Sequence, residues 1–128
     1  IDAGLDYLAR GSHQRRALVI VSDGIDTAST LTFADVMMRT QASNAAVYAI
    51  VLVDPIQVQR DPGRLRPLAR ASGGEAYFPA NHTATFRAME QVAREIRNAY
   101  AIGFVPTGTH DGRYHRLKVT VTPPPGMK

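Results

Sequence analysis

The sequence predicts an α/β fold, a mainly parallel sheet with flanking helices, extended at its carboxyl end by an antiparallel β-hairpin. Three observations predict it. Two short apolar runs, Ala17 to Val21 and Ala45 to Asp54, are rich in β-branched residues and lack the alternation of a half-exposed strand, as strands buried on both faces of a parallel sheet do. A helical pattern separates them, so strand, helix and strand make a βαβ unit, expected to cross over right-handed. After Tyr100 the periodicity changes to that of half-buried strands.

In chain order, Ile1, Leu5 and Leu8 stand at helical spacing, which places the start of the chain in or at the edge of a helix. A chain opening there without a start methionine is expected to be a piece of something longer, with any targeting signal upstream. The strand Ala17 to Val21 ends at Ser22, Asp23 and Gly24. Thr32 and Asp35 then make a capping-box-like start for a helix whose Phe33, Val36, Met37 and Thr40 face inward, with Asn44 as its stop. Ala45 to Asp54 is the second strand. Pro62 and Pro67 forbid one continuous helix in the following stretch, which is read as a loop and a short helix from about Pro67, closed by Gly73 or Gly74. Glu75 to Ala80 is a short third strand. A long helix follows, with Phe86, Met89, Ala93, Ile96 and Tyr100 as its buried stripe. The sequences YAIGFVP and YHRLKVTVTP then make the hairpin, with Leu117, Val119 and Val121 on one face and Arg116, Lys118 and Thr120 on the other. The expected organisation is an α/β domain over 1–98, the hairpin over 99–122 and the start of a linker over 123–128.

The chain's 128 residues, 45% of them hydrophobic, suit one globular domain with a modest core. With no cysteine, disulfides, thiolate metal sites and a cysteine nucleophile are excluded. The net charge of +4 is mild, and the basic residues are scattered instead of forming a stripe interleaved with aromatics, so no nucleic-acid partner is expected. No apolar run has the length of a membrane span.

Asp23 is the residue of chemical interest. In open α/β sheets ligands bind at the carboxyl ends of the strands, and Asp23 stands directly after one. The same position also suits an aspartate that merely caps the next turn or helix. Enzyme signatures are otherwise missing: no nucleophile elbow, no phosphate-cradling loop and no dinucleotide fingerprint occurs. The string Asp23-Gly24-Ile25-Asp26-Thr27 approaches the phosphatase Asp-x-Asp-x-Thr loop, but two residues separate its carboxylates where that loop has one, turning the second away from a shared phosphate. His13, His82, His110 and His115 lack ligand spacing, and Glu75, Glu90 and Glu95 offer no close pair beyond one exposed helix side. Tyr48, Tyr77 and Tyr100 read as core or sheet-packing residues. No acid/base pair assembles, and the chain is not expected to be an enzyme.

Taken together, RRALVIVSDGIDTAS, AAVYAIVLVD, LRPLARASGGEAYFPA, the long helix and YAIGFVPTGTHDGRYHRLKVTV resemble, in that order, the von Willebrand factor type A domain, more closely its bacterial VWFA-related branch. The resemblance covers essentially the whole chain, as the carboxyl-terminal portion of such a domain. It implies a doubly wound, Rossmann-like fold, a role in protein–protein interaction or adhesion, and an extracellular or periplasmic setting. It further implies a divalent ion, most often magnesium, to which a partner's acidic side chain is the completing ligand. Asp23 matches the carboxylate that follows the fourth strand in the family. The family's Asp-x-Ser-x-Ser loop is nowhere in the sequence, so the metal site is expected to be incomplete and magnesium not to bind tightly here. The other readings are a metal-assisted phosphohydrolase using Asp23 and Asp26, and a purely structural module of a larger secreted protein. The resemblance also implies that the strand at Ala17 to Val21 is central in its sheet with one neighbour missing here, so the fragment is expected to self-associate, most simply as a two-fold dimer, through that strand or the helices flanking it, or to cover the edge with its own hairpin.

Overall fold

A computed structural model describes residues 1–23, 29–52, 64–100, 102–103, 105 and 118–122. They form seven elements in the order α1 (Asp2–Ala9), β1 (Arg16–Ser22), α2 (Phe33–Ala42), β2 (Ala45–Val51), α3 (Leu65–Ala71), β3 (Ala76–Tyr77) and α4 (His82–Asn98). The strands make one parallel sheet in the order β1-β2-β3, with Arg16 opposite Ala45 at one end of the first pair and Ser22 opposite Val51 at the other. Helices cover both faces, the Rossmann-like arrangement that the apolar runs predict.

Side-chain alternation divides the core into two layers. On one face Leu18 and Ile20 of β1 join Ala45, Val47, Ala49 and Val51 of β2 under Leu5 of α1, Phe33 and Val36 of α2 and Leu65, Leu68 and Ala69 of α3. On the other, Ala17, Ala46, Tyr48, Ile50 and Tyr77 meet Ala88, Val92 and Ile96 of α4. The two core layers are continuous through β2, whose residues are all buried except Ala46.

Local chemistry sets the element ends. The Thr32 hydroxyl accepts from the Asp35 N–H while the Asp35 carboxylate accepts from the Thr32 N–H, the reciprocal cap the sequence predicts. That pairing, chiefly through the Thr32 hydroxyl, holds Asp35 below the usual carboxylate range. Asn44 adopts φ 53°, the left-handed conformation asparagine tolerates, and turns the chain from α2 straight into β2. After α3, Gly73 takes φ 87° and Gly74 lies so close to β2 that a β-carbon there would stand 2.1 Å from the Val47 carbonyl oxygen. Only glycine fits between helix and strand. Ser72 serves the same junction: its hydroxyl accepts from the Val47 N–H at 2.8 Å and donates to the Ala69 carbonyl at 2.7 Å. Pro67 occupies the first turn of α3, where no N–H partner is needed, so the helix starts two residues before it. Across the α1/α2 contact, Arg39 bridges Asp2 at 2.6 Å and Asp6 at 2.7 Å.

Two expectations need correction. The buried stripe of α4 runs through Ala88 and Val92, whereas Phe86 is 69% exposed, Met89 40% and Tyr100 92%. The helix is rotated so that Ala88, Val92 and, as expected, Ile96 contact the sheet, while Phe86 and Met89 fall on one flank. Secondly, β1 is not covered on both faces: Val19 and Val21, on the α4 side, are 43% and 51% exposed because β1 is the sheet edge and α4 lies over β2. As the spacing predicts, the chain begins at the edge of a helix: Ile1 is the N-cap of α1, its carbonyl accepting from the Leu5 N–H at 3.1 Å, and Leu5 and Leu8 pack in the core. Most of the expected hairpin lies outside the described residues. Of its described part, Ile102, Val105, Val119 and Val121 are exposed and none belongs to a strand.

Candidate functional site

The carboxyl ends of β1 and β2 lie level, held by the Leu52 N–H donating to the Ser22 carbonyl at 2.8 Å. Asp23 is the next residue after Ser22 and is exposed, so the structure places this carboxylate on the carboxyl-end rim of the sheet, as its position after the apolar run predicts. Asp26, Asp54 and Gly24 fall outside the described residues.

Among the described residues this rim offers magnesium one carboxylate, that of Asp23. Among the described residues no three His, Asp or Glu side chains gather closely enough to hold a metal. Magnesium requires near-octahedral oxygen coordination, and the single carboxylate of Asp23 is a small part of that. His13 and His82 lie exposed at separate places, His82 at the start of α4 and His13 before β1, while His110 and His115 are outside the described residues.

A polar cluster that sequence spacing did not single out lies between β3 and α4. The Tyr77 hydroxyl donates to Glu95 Oε1 at 2.6 Å, and the Gln91 amide donates to the same oxygen at 2.8 Å. Burial pushes the Tyr77 phenol well above its ordinary value, and the hydrogen bond to the Glu95 carboxylate adds to this; burial also raises Tyr48, helped by the charge of Glu95. Glu95 therefore belongs to the flank of α4 that faces β3. The i, i+4 spacing of Gln91 and Glu95 was the available signal; its partner on a two-residue strand was not. The cluster ties α4 to β3 of the sheet.

At the opposite end of β1, Ser12, His13, Gln14 and Arg15 line a shallow groove with Ile96, Ala99 and Tyr100, and an Arg15 guanidinium N–H donates to the Ala99 carbonyl at 3.2 Å. The end of α4 is thereby tied to the chain entering β1.

No protein-family profile and no curated protein matches the chain. Among solved structures it is similar to a crystal structure of an uncharacterized membrane spanning protein from Vibrio fischeri, with a TM-score of 0.55 and 16% identity over 65% of this chain and 48% of that one. The chain thus spans about half the length of that protein, and the likeness is one of fold. No helix of the described residues is long and apolar enough to cross a membrane.

Proposed function

We propose that the chain is part of a protein-interaction module of the von Willebrand factor type A kind, docking a protein partner at the carboxyl-end rim of its sheet. The observation that carries this reading is the exposed Asp23 immediately beyond the level ends of two parallel strands, in a sheet with helices on both faces. Such rims collect ligand contacts because the sheet's side chains and loops converge there while helices occupy its faces. Magnesium enters no step of this reading, because the described rim does not supply its ligands; calorimetry on this chain is expected to show no stoichiometric micromolar magnesium site, and one abolished by Asp23→Asn would overturn that statement.

Photocrosslinking tests the interaction. A photoreactive amino acid at position 23 of the protein in its native cells is expected to trap a discrete polypeptide partner, and one at Arg97, near the far end of β1, is not. Equal yields from both positions would remove the rim from consideration. In parallel, hydrolysis of p-nitrophenyl phosphate that disappears in Asp23→Asn would replace binding by the phosphohydrolase reading.

A further inference from the structure

The groove between the chain entering β1 and the end of α4 lies at the end of the strand opposite Asp23 and holds about 680 Å³. No carboxylate lines it. Arg15 supplies a guanidinium, and Ser12, His13 and Gln14 supply a hydroxyl, an imidazole and an amide. Four consecutive side chains therefore bring N–H and O–H donors to one opening, and the fixed positive charge among them selects an anion. Across from them Ile96, Ala99 and the Tyr100 ring give the same groove an apolar side.

The wall that bears the donors is braced from two directions. Arg16 donates from Nε to the His13 carbonyl at 3.3 Å and from Nη2 to the Gly11 carbonyl at 3.2 Å, so one guanidinium spans the turn between α1 and β1. Arg15 ties this wall to the other through Nη1 and the Ala99 carbonyl at 3.2 Å. That contact, with Arg97 Nε on the Ala93 carbonyl at 3.0 Å, also offsets the negative end of the α4 dipole. Nε and Nη2 of Arg15 have no partner among the described residues, which leaves one guanidinium edge for a two-point contact with an oxyanion. The side chains of Ser12, His13 and Gln14 are likewise without hydrogen-bond partners there.

We propose that this groove binds a small phosphate monoester with an apolar body. Its phosphoryl oxygens accept from Arg15, His13, Ser12 and Gln14, and its body lies against Ile96, Ala99 and the Tyr100 ring. The side chains offer about five donors, more than the roughly four acceptor sites of a carboxylate and suited to the three oxygens of a phosphate. Such a ligand touches no residue of the carboxyl-end rim, so binding here and docking at Asp23 stand or fall separately.

Heteronuclear NMR titration of the chain as it stands tests it, with phenyl phosphate, inorganic phosphate, benzoate and benzyl alcohol as ligands. The expected result is saturable shifts of the Arg15 Nε–H and of the amides from Ser12 to Arg15 with phenyl phosphate, binding of inorganic phosphate and of benzoate about tenfold weaker, and no saturation with benzyl alcohol. Arg15→Gln is expected to lower the affinity for phenyl phosphate about tenfold or more. Because that change also releases the Ala99 carbonyl, Tyr100→Ala at a 92% exposed position is the second variant. It is expected to weaken phenyl phosphate about fivefold and to leave inorganic phosphate unchanged, a split that a merely structural loss would not produce. No saturable shift below about 10 mM, benzyl alcohol or benzoate binding as tightly as phenyl phosphate, or an affinity indifferent to Arg15→Gln or to Tyr100→Ala would each overturn the proposal.

Discussion

The strands β1 and β2 are nearly interchangeable in composition and opposite in surroundings. Both are seven-residue runs dominated by alanine, valine and isoleucine. In β2 every residue but Ala46 is buried, with a strand on each side and helices on each face; in β1 burial alternates and none of the seven is fully buried. The lesson is that an apolar β-branched run reports the environment a strand is suited to, whereas its place in the sheet depends on which other strands are there.

Substitutions in the two strands sharpen this contrast. Ile50, 1% exposed near the carboxyl end of β2, is expected to cost about 2 to 5 kcal/mol when changed to alanine, read as a shift in the denaturant midpoint. Gly74→Ala attacks the same strand from outside, since its β-carbon would collide with the Val47 carbonyl, and is expected to cost about 1 to 3 kcal/mol. A neutral result would mean that the 72–75 turn does not hold its close approach to β2.

Smaller effects are expected at the periphery. Tyr77→Phe removes one hydrogen bond to Glu95 and should cost about 1 kcal/mol at neutral pH. Its pH dependence is more telling. The folded state favours the neutral phenol, so Tyr77 contributes stability that is intact below its ordinary value of 10.0 and is lost as pH rises beyond it. Thermal unfolding between pH 9 and 11 should therefore show a steeper alkaline decline in the wild type than in Tyr77→Phe; parallel curves would remove Tyr77 from the account. The smallest effect is expected at β1: Val19→Ala should shift stability by no more than about 0.5 kcal/mol. A loss matching that of Ile50→Ala would show β1 to be covered in solution.

Much of this fold was legible because local rules agreed with the tertiary outcome. The capping box at Thr32 and Asp35, the turn at Asn44 and the glycine closure after α3 are short-range chemistry that packing did not override. The rotation of α4 was not legible. Phe86, Met89, Ala93, Ile96 and Tyr100 form a genuine apolar stripe, but the sheet selects the adjoining face of Ala88 and Val92, and only a three-dimensional neighbour could decide between them. The half-exposure of β1 was hidden for the same reason. At the rim, the strand-end rule located Asp23, while the Tyr77–Glu95 contact joins residues 18 positions apart through a strand too short to have a periodicity.

The Arg39 fork gives α1 a different kind of attachment from every other element. One arginine side chain, itself 44% exposed, reaches two carboxylates a helical turn apart, and Leu5 is the only fully buried residue the helix contributes. Dissolved ions weaken the first of these anchors and leave the second untouched. Ionic strength therefore acts on this molecule as a selective lever: raising it loosens the amino-terminal helix and exposes its backbone to exchange, while β2 and its two core layers stay closed.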